Sequence, residues 1–444
     1  MSQTVWDNIL ATSYLLCWVA TLVWYQWKSR VLDGGTAIIS TYVLYAVFSI
    51  LTLNDPVFSY LFNPLSVFPY IFLFVMLLLA LSPVIFIHIH PAKEIENPHT
   101  RVLTLISIIV IGCSFILIPN ILENFGSGIV KLFTDADAGK DAYMEQAESA
   151  SETGSGISNI PAILHNMFAD IAIFIFFYFL TLKKKNWWLI TLLFFSIIIG
   201  LFIPIIQGSR SNIILAILTI IVGYMMFRQY IEKKLNRIIQ IAGLSFVIVT
   251  SLPVAAITMS RFESLSAGVA GFFNWYVGQG SLYFNNFALD AGGTRHGDRT
   301  LNLLKRVLDS DTPQNYVERR EKYHNLNVDD DIFTTFVGDF VIDFGPYLAV
   351  VIFIVFNLYV IYQIRPHNGK LQLHQTLLLF FVECICMQGG MYLFAYSDTG
   401  NLRILVAMIL YAYLRYHEKL LEKFSLVETI EEQIIIEEKT LKQL

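Results

Sequence analysis

Apolar runs of about twenty residues recur along this chain between short polar connections, and each is long enough to cross a hydrocarbon layer as a helix. They predict about eleven spans, at 9–27, 36–53, 68–89, 102–119, 161–182, 187–206, 211–227, 238–257, 338–363, 373–396 and 402–416. The cations between them keep a rhythm. Lys28/Arg30, Lys93/Arg101, Lys183 to Lys185, Arg228/Lys233/Lys234/Arg237, Arg365/Lys370 and Arg415/Lys419/Lys423 all follow odd-numbered spans. Since Lys and Arg collect on the cytoplasmic side, an external N-terminus and a cytoplasmic C-terminus are expected. A re-entrant segment near 272–289 is also compatible with the pattern.

Two long polar interruptions then fall outside. The first, at 120–160, carries Asp135, Asp137, Asp141, Glu145, Glu148 and Glu152 among small residues and has too little apolar surface to fold by itself. Its Asp135-x-Asp137-x-Gly139 is only superficially like a calcium loop, because the glycine comes one position early. The second, at 258–337, holds six arginines, His296, His324 and seven aspartates. The expected organisation is therefore spans one to eight over 1–257, an external loop at 258–337, spans nine to eleven over 338–416, and a tail at 417–444. Glutamates interleaved with Leu and Ile make that tail an amphipathic cytoplasmic helix.

Composition agrees with an all-α polytopic membrane protein: 55% of 444 residues are hydrophobic, 15% charged, and mean hydropathy is +0.59. The net charge of −5, with cations scattered in short loops rather than gathered in a stripe, gives no sign of a nucleic-acid partner, and none is expected. Cys17, Cys113, Cys384 and Cys386 all lie in apolar runs, so neither a disulfide framework nor a metal site is expected. The first residues lack the basic stretch and cleavage site of a removable signal, so the first run should stay as a span. No phosphate-cradling glycine loop appears, which argues against a cytoplasmic nucleotide-sugar enzyme or an ATP-driven pump.

Candidate chemistry begins at Gln207-Gly208-Ser209-Arg210-Ser211-Asn212, where a helix starts with free N–H groups, the hydroxyls of Ser209 and Ser211, and the Arg210 guanidinium. That combination favours a phosphate, although Arg210 snorkelling to the interface explains the same residues. Arg261 and Arg403 are expected at the same level, and Arg299 lies in the long loop. Candidate proton acceptors are His296, His324, Glu263, Asp339 and Asp343, although a histidine in such a loop, His296 or His324 alike, is more often just a solvated residue. Asp339 and Asp343 are four apart on one helical face before Gly345-Pro346, where they can also serve simply to favour a helix start. Aromatics among amides at Trp275, Tyr276, Tyr283 and Phe284 suit sugar rings or an interfacial helix. Glu383, deep in the tenth span, reads as neutral or paired and structural.

The Gln-Gly-Ser-Arg-Ser-Asn step, the long external loop after Arg261-Phe262-Glu263, and Phe333-Thr-Thr-Phe-x-Gly-Asp-x-x-x-Asp343-Phe-Gly345 resemble the Wzy-type O-antigen and oligosaccharide repeat-unit polymerases. The resemblance implies a GT-C-like helical fold in the bacterial inner membrane. It also implies transfer of a growing glycan from one undecaprenyl pyrophosphate to another lipid-linked repeat unit at the periplasmic face. Arg210 and Arg261 would then hold pyrophosphate, without metal or nucleotide, with a chain-length regulator as the protein partner. Two other functions fit the sequence: a lipid-linked oligosaccharide flippase, and a periplasmic glycosyltransferase using a polyprenyl-phosphate sugar.

Overall fold

A computed structural model describes residues 3–62, 64–89, 92–96, 100–134, 160–206, 209–262, 268–309, 311–314, 316–329, 332–393 and 399–417. The chain is helical nearly throughout. Helices α1 (Gln3–Ser29), α2 (Gly34–Leu53), α3 (Val67–Ile89) and α4 (Thr100–Thr134) are followed by a bent pair, α5 (Ile160–Met167) and α6 (Ala169–Thr181). Then come α7 (Trp187–Ile206), α8 (Arg210–Phe227), α9 (Lys233–Phe262) and α10 (Gly268–Tyr283), the last running into a π turn at Phe284–Ala288. The long loop carries α11 (Asn302–Leu308) and α12 (Tyr316–Lys322), and α13 (Thr335–Phe344), α14 (Pro346–Gln363), α15 (Leu373–Gln388) and a final α16 at 399–417 complete the chain.

Eight helices among the described residues are long and apolar enough to cross a membrane, or nine if α5 and α6, bent by 53°, make one span. Eleven were expected; besides the bent pair, the two not counted are 373–396 and 402–416, the latter lying within the helix at 399–417, whereas Pro346–Gln363 is one of the eight. The expected span at 338–363 is two helices, because Gly345 takes φ +80°, a left-handed conformation open to glycine, and Pro346 then starts α14 afresh. The expected span at 373–396 is a 16-residue helix carrying His374, Glu383 and Gln388, ended by a turn at Gly389–Gly390. Polar side chains and two glycines shorten it.

Aromatic contacts pack the first helices. Trp18 stacks on Tyr42 (4.6 Å between centroids, 19°) and Tyr14 on Tyr70 (4.9 Å). Gly278 lets α10 lie directly on the α2 backbone at Phe48 and Ser49, where a Cβ would collide. Both ends of α10 meet the same end of the bundle, since Phe272 and Trp275 pack on Phe58 and Asn285 bonds Ser66. The 272–289 segment is thus held against the α2–α3 connection near both of its ends.

The opposite end gathers the cation-rich connections. There the two-residue strands β1 (Glu94–Ile95) and β2 (Lys370–Leu371) pair in parallel, Lys185 bridges Glu232 at 2.6 Å, and the Tyr230 hydroxyl donates to the Ala92 carbonyl. The bundle therefore has a loop end, with α11 to α13, and a far end rich in Lys and Arg.

Candidate functional site

The long loop is tied to α13 by charge. Arg295 Nε donates to Asp343 Oδ1 at 2.9 Å, and Asp343 Oδ2 accepts the Thr300 N–H at 2.7 Å. Arg299 Nε lies 3.2 Å from Asp339 Oδ1, and Asp339 Oδ2 accepts the Leu393 N–H at 2.8 Å. All four residues are buried. The arginines are four apart and so are the aspartates, in opposite chain directions, so two adjacent ion pairs set one register. Low-dielectric surroundings strengthen each pair and make an unpartnered member costly. Burial pushes the Asp339 carboxyl above its usual range, against the opposing pull of Arg299 and Arg295.

A third aspartate closes the loop on itself. Asp298 accepts from Lys305, from Lys322 Nζ at 2.9 Å and from the Tyr323 hydroxyl at 2.7 Å. Burial alone would raise this carboxyl, but the two ammonium groups and the phenol outweigh it and hold it below its usual range. Burial and then the neighbouring Asp298 push the Tyr323 phenol up, so it stays a proton donor.

Above these pairs lies a cavity of about 330 Å³ lined by Arg295, Arg319, Arg320, Tyr323, His324, Leu326, Val328 and Asp329. Arg319 is buried, and Arg320 sits 3.7 Å from Asp329. Of the cavity's three guanidiniums, Arg295 is held by Asp343 and Arg320 faces Asp329, and their planar forks suit oxygens in pairs. His324 is exposed at the rim, its Nδ1 2.8 Å from the Glu321 carbonyl, which leaves Nε2 for proton transfer.

The other expected residues fall in several places. His296 is exposed with φ +53°, its Nδ1 3.2 Å from Thr294 Oγ1, and it does not line the cavity. Arg403 lies at a different locus, donating to the Asn166 carbonyl at 2.9 Å and facing Asp170 at 3.4 Å beside the α5–α6 bend. Ser209 is buried just before α8, with no side-chain cap bond, and Ser211 is half-buried in its first turn. Arg210 and Arg261 stand near the ends of α8 and α9, but their side chains, like Glu263, lie outside the described residues. The start of α8 belongs to the loop end, since Leu215 packs with Met391, Tyr392, Tyr276 and Phe333. Gly208 is also outside the described residues.

Not singled out from sequence as site residues were Arg295, Asp298, Lys305, Arg319, Arg320, Lys322 and Tyr323. One signal could have found the first: Arg295/Arg299 repeats the four-residue spacing of Asp339/Asp343. Strain marks the same region, because Thr335, a β-branched residue at φ +69°, starts α13 with its N–H on the Met391 carbonyl at 2.8 Å.

At the far end, Glu383 is paired. Its Oε1 lies 2.9 Å from His88 Nε2, and His88 Nδ1 is 4.0 Å from Asp33, whose other oxygen accepts from the Tyr25 hydroxyl at 2.9 Å. Among the described residues no group of three or more His, Cys, Asp or Glu is arranged to hold a metal ion.

Comparison with protein-family models, with curated proteins and with solved structures finds no match to this chain.

Proposed function

We propose that the chain is a membrane glycosyltransferase of the oligosaccharide repeat-unit polymerase type, acting on undecaprenyl-pyrophosphate-linked glycans at the periplasmic face of a bacterial inner membrane. The observation carrying this reading is the cavity walled by Arg295, Arg319 and Arg320 with His324 at its rim, on an apolar helical bundle. At about 330 Å³ it takes the reacting end of a lipid-linked oligosaccharide, not a whole repeat.

In the proposed step, an acceptor sugar hydroxyl attacks the anomeric carbon of the donor. The new glycosidic bond forms as the bond to the pyrophosphate oxygen breaks, and the acceptor proton passes to a protein base. Pyrophosphate leaves with both electrons of the broken bond, and cations lining the cavity lower the barrier by stabilising the charge that develops on it. Of the five candidate bases, His324 lines the cavity, and its imidazole is of a type suited to general-base work. Asp339 has a carboxyl raised by burial, yet its oxygens are engaged by Arg299 and Leu393.

Purified protein with synthetic lipid-linked repeat units tests this directly. Polymer should form, and His324→Ala should slow it about a hundredfold or more while His296→Ala does not. Absence of any polymer from active-lipid preparations overturns the reading.

The bend between α5 and α6, with buried His165 and Asp170 beside it, favours a second reading as a lipid-linked oligosaccharide transporter, since broken helices with charged residues mark such sites. A deletion strain separates the two: loss of a polymerase leaves single repeat units at the cell surface, and loss of a flippase leaves none.

A further inference from the structure

Helix α11 is built inside out. Asn302 is buried and donates Nδ2 to the carbonyls of Asp298 at 3.0 Å and Pro313 at 2.8 Å. Lys305 reaches in to Asp298, and Arg306 Nη1 donates to the Gln314 carbonyl at 3.5 Å. The polar side of the helix therefore faces the loop's own fold. On the other side Leu301, Leu304, Val307 and Leu308 are 41%, 45%, 79% and 87% exposed. At 3.6 residues per turn these four fall within an arc of roughly 120°. A helix in a water-immersed loop shows the reverse arrangement, apolar side in and polar side out.

This face adjoins the lipid-facing side of the bundle. Gly297 is flanked by Phe344 and Leu301: a Cβ there would lie 3.1 Å from Phe344 Cε1 and 3.7 Å from Leu301 Cδ1. Phe344 ends α13, and three residues on Tyr347, 89% exposed, opens α14. From there Leu348, Val351, Val355 and Leu358 continue an exposed apolar stripe along a helix long enough to cross the membrane. Leu301 thus stands where that stripe begins, and α11 extends it sideways. Asp309 and Asp311, both exposed, follow the helix at once and mark the chain's return to water.

We propose that α11 is an interfacial helix, seated in the bilayer leaflet on the loop side with Leu301, Leu304, Val307 and Leu308 among the lipid chains. The occupant of the face is bilayer lipid, as the continuity with α14 requires. This stands whether or not the protein is an enzyme. Its structural consequence is that the Lys305–Asp298–Lys322 bridge, held behind α11, lies at the depth of the lipid headgroups, so the cavity that shares Tyr323 with that bridge opens where a lipid-borne anion would arrive.

Spin labels test it in the full chain. Cys17, the one exposed cysteine of the four, is first replaced by serine. Labels are then placed singly at Val307→Cys, Leu308→Cys and, as a water-side reference, Glu321→Cys, and the protein is reconstituted in phosphatidylcholine bilayers. At 307 and 308 oxygen should relax the label at least several-fold more than a nickel chelate does, with the order reversed at 321. Free access of the chelate to 307 and 308 overturns the proposal. So does exclusion of both reagents with dipolar broadening between labels on two chains, because a second copy would then cover the face. If a labelled variant does not fold, Leu308→Trp in brominated lipid replaces it: strong quenching relative to the parent supports the proposal, and unchanged quenching overturns it.

Discussion

Arg295 and Asp343 meet at 2.9 Å with side chains 2% and 0% exposed, and one helical turn away Arg299 meets Asp339 at 3.2 Å. Two segments some forty residues apart are thereby locked at two points, which fixes both their separation and their register. The cavity wall provided by Arg295 is held rigid by the same contacts, so the loop presents its charge without first having to order it.

Breaking one member of this double lock should be costly. Asp343→Asn or Arg295→Met leaves a buried charge without its partner and is expected to lose about 3–5 kcal/mol. Replacing both, as Arg295→Met with Asp343→Leu, should cost clearly less than the sum of the singles. Thermal unfolding of detergent-purified variants measures it, and simple additivity would show that the two do not act as a pair.

The arginines proposed to face pyrophosphate give a kinetic prediction. Arg210→Ala, Arg261→Ala and Arg319→Ala should each slow polymerisation about a hundredfold, on the order of 3 kcal/mol of transition-state stabilisation. Lysine at the same positions should rescue poorly, because a point charge does not replace a planar fork. Membrane levels of each variant serve as the control, and native chain lengths in all three would remove the phosphate-binding role.

Acid should loosen the loop through Asp298. Its carboxyl is held low in the folded protein by Lys305, Lys322 and Tyr323 against the opposing effect of burial. A depressed folded value means the stabilisation is fully present above the ordinary carboxylate value, about 3.9, and is lost as pH falls through the folded one. Melting temperature should thus hold between pH 7 and 5 and drop on further acidification. In Asp298→Asn the part of that drop due to this group should vanish; an identical acid limb in the variant would contradict the assignment.

Glu383 and His88 make the comparable prediction at the far end. His88→Ala leaves a fully buried carboxylate with no cation and should cost about 3–5 kcal/mol, whereas Glu383→Gln keeps a hydrogen-bonding amide beside a neutral imidazole and should cost less. Equal losses in the two variants, read by thermal unfolding, would mean that charge is not what pairs them.

Topology can be checked independently. Reporter fusions at Lys184 are expected to read cytoplasmic and at Glu148 or Ser310 periplasmic. A cytoplasmic Ser310 would move the whole arginine cavity to the other side of the membrane.

Hydrophobic periodicity made the membrane helices legible, because a span needs only length and apolarity, and both are local properties. The places where it misled are local too. Gly345-Pro346 splits what reads as one run, and Glu383 with the Gly389–Gly390 turn shortens another. Candidate anions and cations were visible as residue types, including Asp339, Asp343 and Arg299. Their pairing was not, since which guanidinium meets which carboxylate depends on how a forty-residue loop folds back. The seven residues around Asp298 and Arg319 were missed for the same reason: in sequence they look like ordinary solvated loop charges.

The His88–Glu383 contact also sets a clock for the protein's manufacture. The two residues are 295 positions apart, so at roughly 5–20 residues per second of synthesis His88 waits on the order of 15 to 60 seconds before its partner leaves the ribosome. Glu383 in turn arrives on a helix of only 16 residues, poorly suited to staying in lipid unaided. The far end of the bundle can close only when almost the whole chain has been made, and a chain that stalls before α15 will carry an open seam between α2 and α3, the kind of lesion that membrane quality control can detect.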